Sequence, residues 1–275
     1  MTLNDKFNKL KESLKAMDRV IIAYSGGVDS AFLLKAASVS GLSEILAVTG
    51  ISESLSAEEL SLAKELASSF HVKHRTVMTE ELENENYANN PPDRCYYCKK
   101  DLFSKLRQIA EEENFPFILD GTNADDAHDW RPGRRAAREE GVISPLLETG
   151  FSKKEIREVS RDLGLSTWDK PATPCLSSRF PYGLRITAEA LARVHRAEQY
   201  LKEFGIRELR VRDHSGIARI EIHPEDFKIV LNDTAREKIV SFLKSIGYEQ
   251  ITLDLQGFRS GNLNREVKSQ RYRFK

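Results

Sequence analysis

Three cysteines in 275 residues are too few for the disulfide framework of a secreted scaffold. Net charge is missing as well, since 42 Lys and Arg balance 42 Asp and Glu. The basic excess that accompanies an extended nucleic-acid surface is therefore absent, and no nucleic-acid partner is expected. No apolar run reaches transmembrane length and no apolar leader segment is visible, so no membrane partner is expected and the cytoplasm is the expected location. There is no internal repeat and no low-complexity tract. The signature GxxxxGK followed by Ser or Thr does not occur either, which excludes the ordinary P-loop. What remains is the composition of a globular protein, long enough for one large domain or two ordinary ones.

The most informative stretch is SGGVDS, residues Ser25, Gly26, Gly27, Val28, Asp29 and Ser30. A short β-branched run, VIIAY, precedes it and reads as a buried strand. The Ala- and Leu-rich run AFLLKAA follows and reads as a helix. Glycines between them let the backbone curl closely around a ligand. Amides at a helix start have no internal partners and carry the positive end of the helix dipole, so the turn is a candidate anion site, best suited to a phosphate chain. The simpler alternative is a tight turn with Ser25 or Asp29 as helix cap.

Along the rest of the chain, residues 4–17 read as an amphipathic helix, 44–51 as a strand, 56–70 as a helix capped by Ser56, and 72–77 as a strand. An irregular polar piece over 84–94 leads to Cys95-Tyr96-Tyr97-Cys98 and a helix from about 99 to 113. Residues 117–119 and 142–146 read as strands and 152–163 as a helix capped by Ser152. This alternation predicts an α/β fold, a parallel doubly wound sheet covered on both faces. In such a sheet the strand ends border the ligand crevice, which makes Thr49 and Gly121, of the second glycine turn DGTNADD, candidate nucleotide contacts. The expected domains are 1–165, a proline-interrupted linker over 166–186 carrying Cys175, a smaller α+β unit over 187–264, and a basic tail over 265–275. The α+β unit is read from a helix over 187–204, strands at 207–212, 217–222 and 248–255, and a helix over 234–246.

Cys95 and Cys98 bring two thiolates within reach of one metal, and Cys175 offers a third. Three thiolates on a four-iron cluster leave one iron open. Zinc wants a fourth ligand, for which His74 and His128 are candidates without finger-like spacing. A Cys95–Cys98 disulfide and plain burial stand beside these readings. Cys175 lies in TPCLSSRFPYG, among hydroxyls and Arg179, where a thiolate nucleophile is a second possibility. Arg210 and Arg212 alternate on a strand and share a face. With Ser178, Arg179, Glu198, Glu221 and Arg259 they are candidates for binding an anionic, nucleotide-like substrate, or else they form salt bridges. Asp29, with Asp125 or Asp126, is a candidate for supporting Mg²⁺ at a triphosphate.

SGGVDS after a first strand resembles the PP-loop of the ATP-pyrophosphatase superfamily, which implies cleavage of ATP to AMP and pyrophosphate. SGGVDS, DRCYYCKKDLF, DGTNADD, RPGRRAAREEGV, TPCLSSRFPYG and DLQGFRSGNLN, in this order, resemble the LarE family over nearly the whole chain. The resemblance implies an ATP-dependent sulfurtransferase that adenylates a carboxylate of pyridinium-3,5-biscarboxylic acid mononucleotide and converts it to a thiocarboxylate in nickel-pincer nucleotide biosynthesis. It implies ATP and Mg²⁺ as cofactors, and Cys175 at the sulfur-handling position. Two schemes are known in the family: a lone cysteine that gives up its own sulfur, and three cysteines on a [4Fe-4S] cluster carrying an extra sulfide. The three cysteines here resemble the cluster type. A PP-loop tRNA thiolase is the nearest rival, and a homo-oligomer is expected.

Overall fold

The computed structural model describes residues 2–128, 131–171 and 173–259. Trp130, the side chain of His128 and the tail from Ser260 onward, including the end of DLQGFRSGNLN, lie outside the described residues. The chain parts into two units, one formed by Met1–Glu81 with Asp93–Thr173, the other by Leu82–Pro92 with Pro174–Lys275.

The first unit runs α1 (Leu3–Met17), β1 (Arg19–Ala23), α2 (Val28–Ser38), β2 (Glu44–Ile51), α3 (Ala57–Ser69) and β3 (Lys73–Met78). After the excursion Leu82–Pro92, which holds the short helix α4 (Glu85–Ala88), it resumes with α5 (Arg94–Glu112) and β4 (Phe117–Leu119). The helices α6 (Gly133–Glu139), α7 (Pro145–Glu148) and α8 (Lys153–Asp162) complete it. Its four strands are parallel, in the order β3-β2-β1-β4. Alternate residues of β1 and β2 feed two cores. Val20, Ile22 and Ala47 pack with α1, α2 and α8, while Ile21, Leu46 and Val48 pack with α5 and α6. Strands buried on both faces are near-continuously apolar, as β1 is. α2 is buried at eight of its eleven residues, so it is a core helix rather than a surface one.

Beside α4, which forms inside the piece read as irregular, two elements differ from the sequence reading. The predicted strand over 142–146 shrinks to a single bridge, Leu119 to Ile143. Pro145 has no N–H to donate to a ladder, and its fixed φ suits the first position of a helix, so α7 begins there. α5 starts at Arg94, not near residue 99, because the chain after Pro91-Pro92 closes its first turn at Asp93, whose carbonyl accepts from the Tyr96 N–H at 2.8 Å. CxxC therefore lies inside the first helical turns.

In the second unit, α9 (Ala188–Lys202) and α11 (Asp233–Ser245) cover one face of a three-stranded sheet, β5 (Leu209–His214), β6 (Ile217–Ile222) and β7 (Gln250–Leu253). β5 and β6 are antiparallel, β6 and β7 parallel, with α10 (Phe227–Leu231) and α11 in the connection.

The two-sided burial of β1 has a direct test. Ile21→Ala and Ile22→Ala, each fully buried on opposite faces, should each cost about 2–5 kcal/mol in denaturant unfolding. A cost near zero for either would mean that its face of the sheet is not covered.

Candidate functional site

In the parallel sheet the chain leaves β1 toward β2 on one side and returns to β4 on the other. The crevice beyond the carboxyl ends of β1 and β4 is thus a topological switch point, and both glycine turns lie there. Gly26 has φ +69°, and a Cβ on it would stand 2.8 Å from Ala63 Cβ. A Cβ on Gly121 would stand 2.9 Å from the Ser30 backbone nitrogen. Both turns therefore require glycine for space, and at Gly26 also for conformation. Gly27 caps α2 without any side-chain hydrogen bond, which leaves that helix start to other acceptors. Ser25 and Ser30 meet at 3.1 Å between hydroxyls, and the Ser25 N–H donates to Ser30 Oγ at 3.3 Å. These contacts curl the loop without capping α2.

Asp29 faces Lys153, with Oδ2 2.7 Å from Nζ, while its buried Oδ1 has no hydrogen-bond partner among the described residues. A carboxylate with one spare oxygen fits a hard divalent cation. Asp125 and Asp126 are committed elsewhere: Asp125 Oδ2 accepts from the Lys153 N–H, and Asp126 accepts from the Asn123 N–H and pairs with Arg131. Thr49 donates its hydroxyl to the Tyr24 carbonyl at 2.6 Å and meets His74 Nε2 at 2.9 Å, so the imidazole is the donor there. Burial, reinforced by Lys64, pushes the His74 pKa below its ordinary value. The Thr49 side chain is thus occupied internally.

Cys95 and Cys98, three residues apart in α5, share a helix face. Neither is in a disulfide, and Cys95 is exposed. The RPGRRAAREEGV stretch is held to this helix. Arg135 stacks 3.6 Å above the Tyr96 ring, Tyr96 donates to Glu139, and Lys100 pairs with Glu139 and Glu140. Cys175 belongs to the other unit, is exposed, and opens a 3-10 turn over Leu176–Arg179.

That turn is tied down from several sides within its unit. Arg179, 2% exposed, donates to both Glu198 oxygens at 2.8 and 2.9 Å and to the Pro174 and Cys175 carbonyls. Glu198 also accepts the Val211 N–H at 3.0 Å. Arg212 donates to the Ser178 carbonyl and, twice, to Glu221, which is fully buried. Tyr87 and Asn90 of the excursion reach Ser177 and the carbonyls of Phe180 and Pro181. The four charged candidates Arg179, Glu198, Arg212 and Glu221 therefore form two buried ion pairs that hold the Cys175 turn. Arg210 is stacked 5.1 Å from Phe258; burial, with Arg179 close by, pushes its pKa down to about 10. Arg259 is exposed.

Sequence reasoning missed three cations: Lys153 at Asp29, Lys170, whose Nζ donates to the Gly26 carbonyl at 3.4 Å, and Arg219, which pairs with Glu221 at 3.0 Å. For Arg219 a signal was present, since on the antiparallel register it stands opposite Arg212.

Removing one member of a buried pair strands the other charge. Arg179→Met should cost about 3–5 kcal/mol and speed alkylation of Cys175 by iodoacetamide, and adding Glu198→Leu should restore much of the stability. Equal alkylation rates in wild type and Arg179→Met would show that Arg179 does not set the Cys175 turn.

No protein-family model matches the chain. It is 45% identical over 264 residues to an uncharacterised protein of Synechocystis, covering 96% of this chain and 98% of that one. It is 40% identical over 268 residues to the pyridinium-3,5-bisthiocarboxylic acid mononucleotide synthase of Lactiplantibacillus plantarum, covering 96% and 95%. An uncharacterised protein of Methanocaldococcus jannaschii is 32% identical over 253 residues, covering 92% and 95%.

Proposed function

The chain belongs to the LarE family of pyridinium-3,5-bisthiocarboxylic acid mononucleotide synthases, and on that premise we propose that it is an ATP-dependent sulfurtransferase acting on pyridinium-3,5-biscarboxylic acid mononucleotide. The observation that carries this reading is 40% identity to the Lactiplantibacillus plantarum synthase over nearly the full length of both chains. No helix among the described residues is long and apolar enough to cross a membrane.

A carboxylate is a poor acceptor for sulfur because its leaving group would be oxide. Adenylation cures this. A substrate carboxylate oxygen attacks the α-phosphorus of ATP, the bond to the β-phosphate oxygen breaks, and pyrophosphate leaves. A sulfur nucleophile then adds to the acyl carbonyl, the bond to the AMP oxygen breaks, and a thiocarboxylate remains. In this scheme the open amides at the start of α2 and the hydroxyls of Ser25 and Ser30 receive the phosphate chain. Asp29, through its spare oxygen, supports Mg²⁺. Gly121 keeps the second turn out of the way, and the backbone around Thr49 lines the base.

Cys95, Cys98 and Cys175 are thiols outside any disulfide, and thiolates are the soft donors an iron–sulfur centre takes. They would hold a [4Fe-4S] cluster, whose chemistry when bound would be to supply a transferable sulfide. Arg179 and Arg212 keep the backbone at Cys175 in place, and Arg210 with Arg259 adds positive charge for the substrate's phosphate and carboxylates.

Anaerobically purified protein given ATP and the dicarboxylate nucleotide should release AMP and pyrophosphate, while ADP and phosphate would overturn the adenylation. Intact mass after turnover should show Cys175 unchanged, with each of Cys95→Ala, Cys98→Ala and Cys175→Ala losing both bound iron and thiocarboxylate formation. Loss of the mass of H₂S at Cys175, with Cys95→Ala still active, would instead assign the sulfur to the Cys175 side chain.

A further inference from the structure

β3 ends at Met78 and α5 begins only at Arg94, although about two to six residues usually join a strand to the next helix. The detour between them is fastened to α5 at both ends. On the way out, the Glu80 N–H donates to Asp101 Oδ2 at 3.0 Å, and Lys105 Nζ donates to the Met78 carbonyl at 2.7 Å. On the way back, only Pro91, Pro92 and Asp93 separate Asn90 from α5, and both prolines have a fixed φ. α5 then carries Cys95 and Cys98 in its first turns. The middle of the detour is fastened instead to the segment that carries Cys175. Tyr87 Oη meets Ser177 Oγ at 2.6 Å, and both side chains are buried. Asn90 is fully buried at φ +53°, in the left-handed region that asparagine tolerates. Its amide donates to the Phe180 and Pro181 carbonyls at 3.3 and 2.7 Å, and its own carbonyl accepts the Gly183 N–H at 2.9 Å. A phenyl ring would pack as a tyrosine ring does; the Tyr87 hydroxyl adds direction.

We propose that Tyr87 and Asn90 are positioning residues that keep Cys95 and Cys98 in register with Cys175. The inference rests on the three-thiol reading above. Those thiols come from two separate compact units, whereas a shared metal centre tolerates errors of only about 0.5 Å in ligand placement. Each positioning residue acts through the main chain. Tyr87 holds Ser177, two residues past Cys175. Asn90 holds the carbonyls that follow the Cys175 turn, and through two prolines it sets where the first turn of α5 begins. A flexible link would leave the thiols to find one another at the cost of chain entropy; a stiff, anchored one removes much of that cost beforehand.

The experiment treats the reduced, metal-free, full-length protein with a short bis-maleimide. Peptide mass spectrometry reads the initial rate at which Cys175 becomes joined to the Cys95–Cys98 segment. Tyr87→Phe should slow this joining by about fivefold, and Asn90→Gly, which keeps the backbone conformation but drops both amide donors, by about tenfold or more. Single-ended alkylation of each cysteine by N-ethylmaleimide should stay close to wild type. Tyr87→Phe combined with Ser177→Ala leaves no hydroxyl of the pair unmatched, so the unfolding midpoint should recover while joining stays slow. Ile239→Val, which weakens the core of the second unit, should lower the midpoint and leave joining unchanged. Unfolding curves identify any variant that fails to fold, and Tyr87→Phe and Asn90→Gly back each other. Wild-type joining rates in both overturn the positioning role. So does a double variant that regains stability and joining together, or a loss of joining matched by an equal loss of single-ended alkylation. If wild type never joins Cys175 to the Cys95–Cys98 segment, the three-thiol reading falls and this inference falls with it.

Discussion

The first unit depends on a constraint of space. The start of α2 is hemmed in by two turns that tolerate no side chain: Gly26 lies against Ala63 of α3, and Gly121 lies against the backbone of Ser30. A core helix with eight buried residues is thereby driven end-on into the crevice between β1 and β4, with its cap left open. The apolar demand and the polar opportunity come from one arrangement. The sequence that buries α2 on the sheet also presents its unpaired amides at the sheet's edge.

The second unit solves a different problem with charge. A 3-10 turn of four residues has little regular hydrogen bonding of its own, yet the thiol at its head must keep a defined position. Two buried arginine–glutamate pairs supply that definition by reaching main-chain carbonyls just before the turn and within it. Buried pairs are weak sources of net stability, but they are severe about geometry, because any loosening strands a charge. The guanidinium fork matters here: each arginine satisfies a carboxylate and a carbonyl at once, which an ammonium does with less directional control.

Legibility in the sequence followed the range of the interaction. β1, β2 and α2 were readable because their apolar runs are continuous and bounded by turn residues. The caps at Ser56 and Ser152 were readable because a cap acts three residues away. The glycine turns were visible by residue type alone. The strand over 142–146 was misread because its apolar residues outweighed the one feature that decided it, the missing donor at Pro145. The start of α5 was placed late because the polar stretch before it resembled loop. Charge partnerships were the least legible. Nothing in the order of residues says that Lys153 answers Asp29, or that Arg179 answers Glu198 rather than a ligand. Those pairings exist only once the chain has folded.

Leu82–Pro92 belongs with residues that leave the ribosome much later. Tyr87, Ala88 and Asn90 find their partners at Ser177, Ile186, Phe180, Pro181 and Gly183. At about 5–20 residues per second, Tyr87 waits roughly 4–18 s for the first of them, Ser177, to be synthesised 90 residues later. Throughout that interval the Ser177 partner of the buried Tyr87 does not yet exist, and α4, only four residues long, cannot persist by itself. The first unit must therefore fold around an open loop, and the second closes on that loop afterward. A truncation ending anywhere between residues 93 and 174 leaves the loop without any of these five partners.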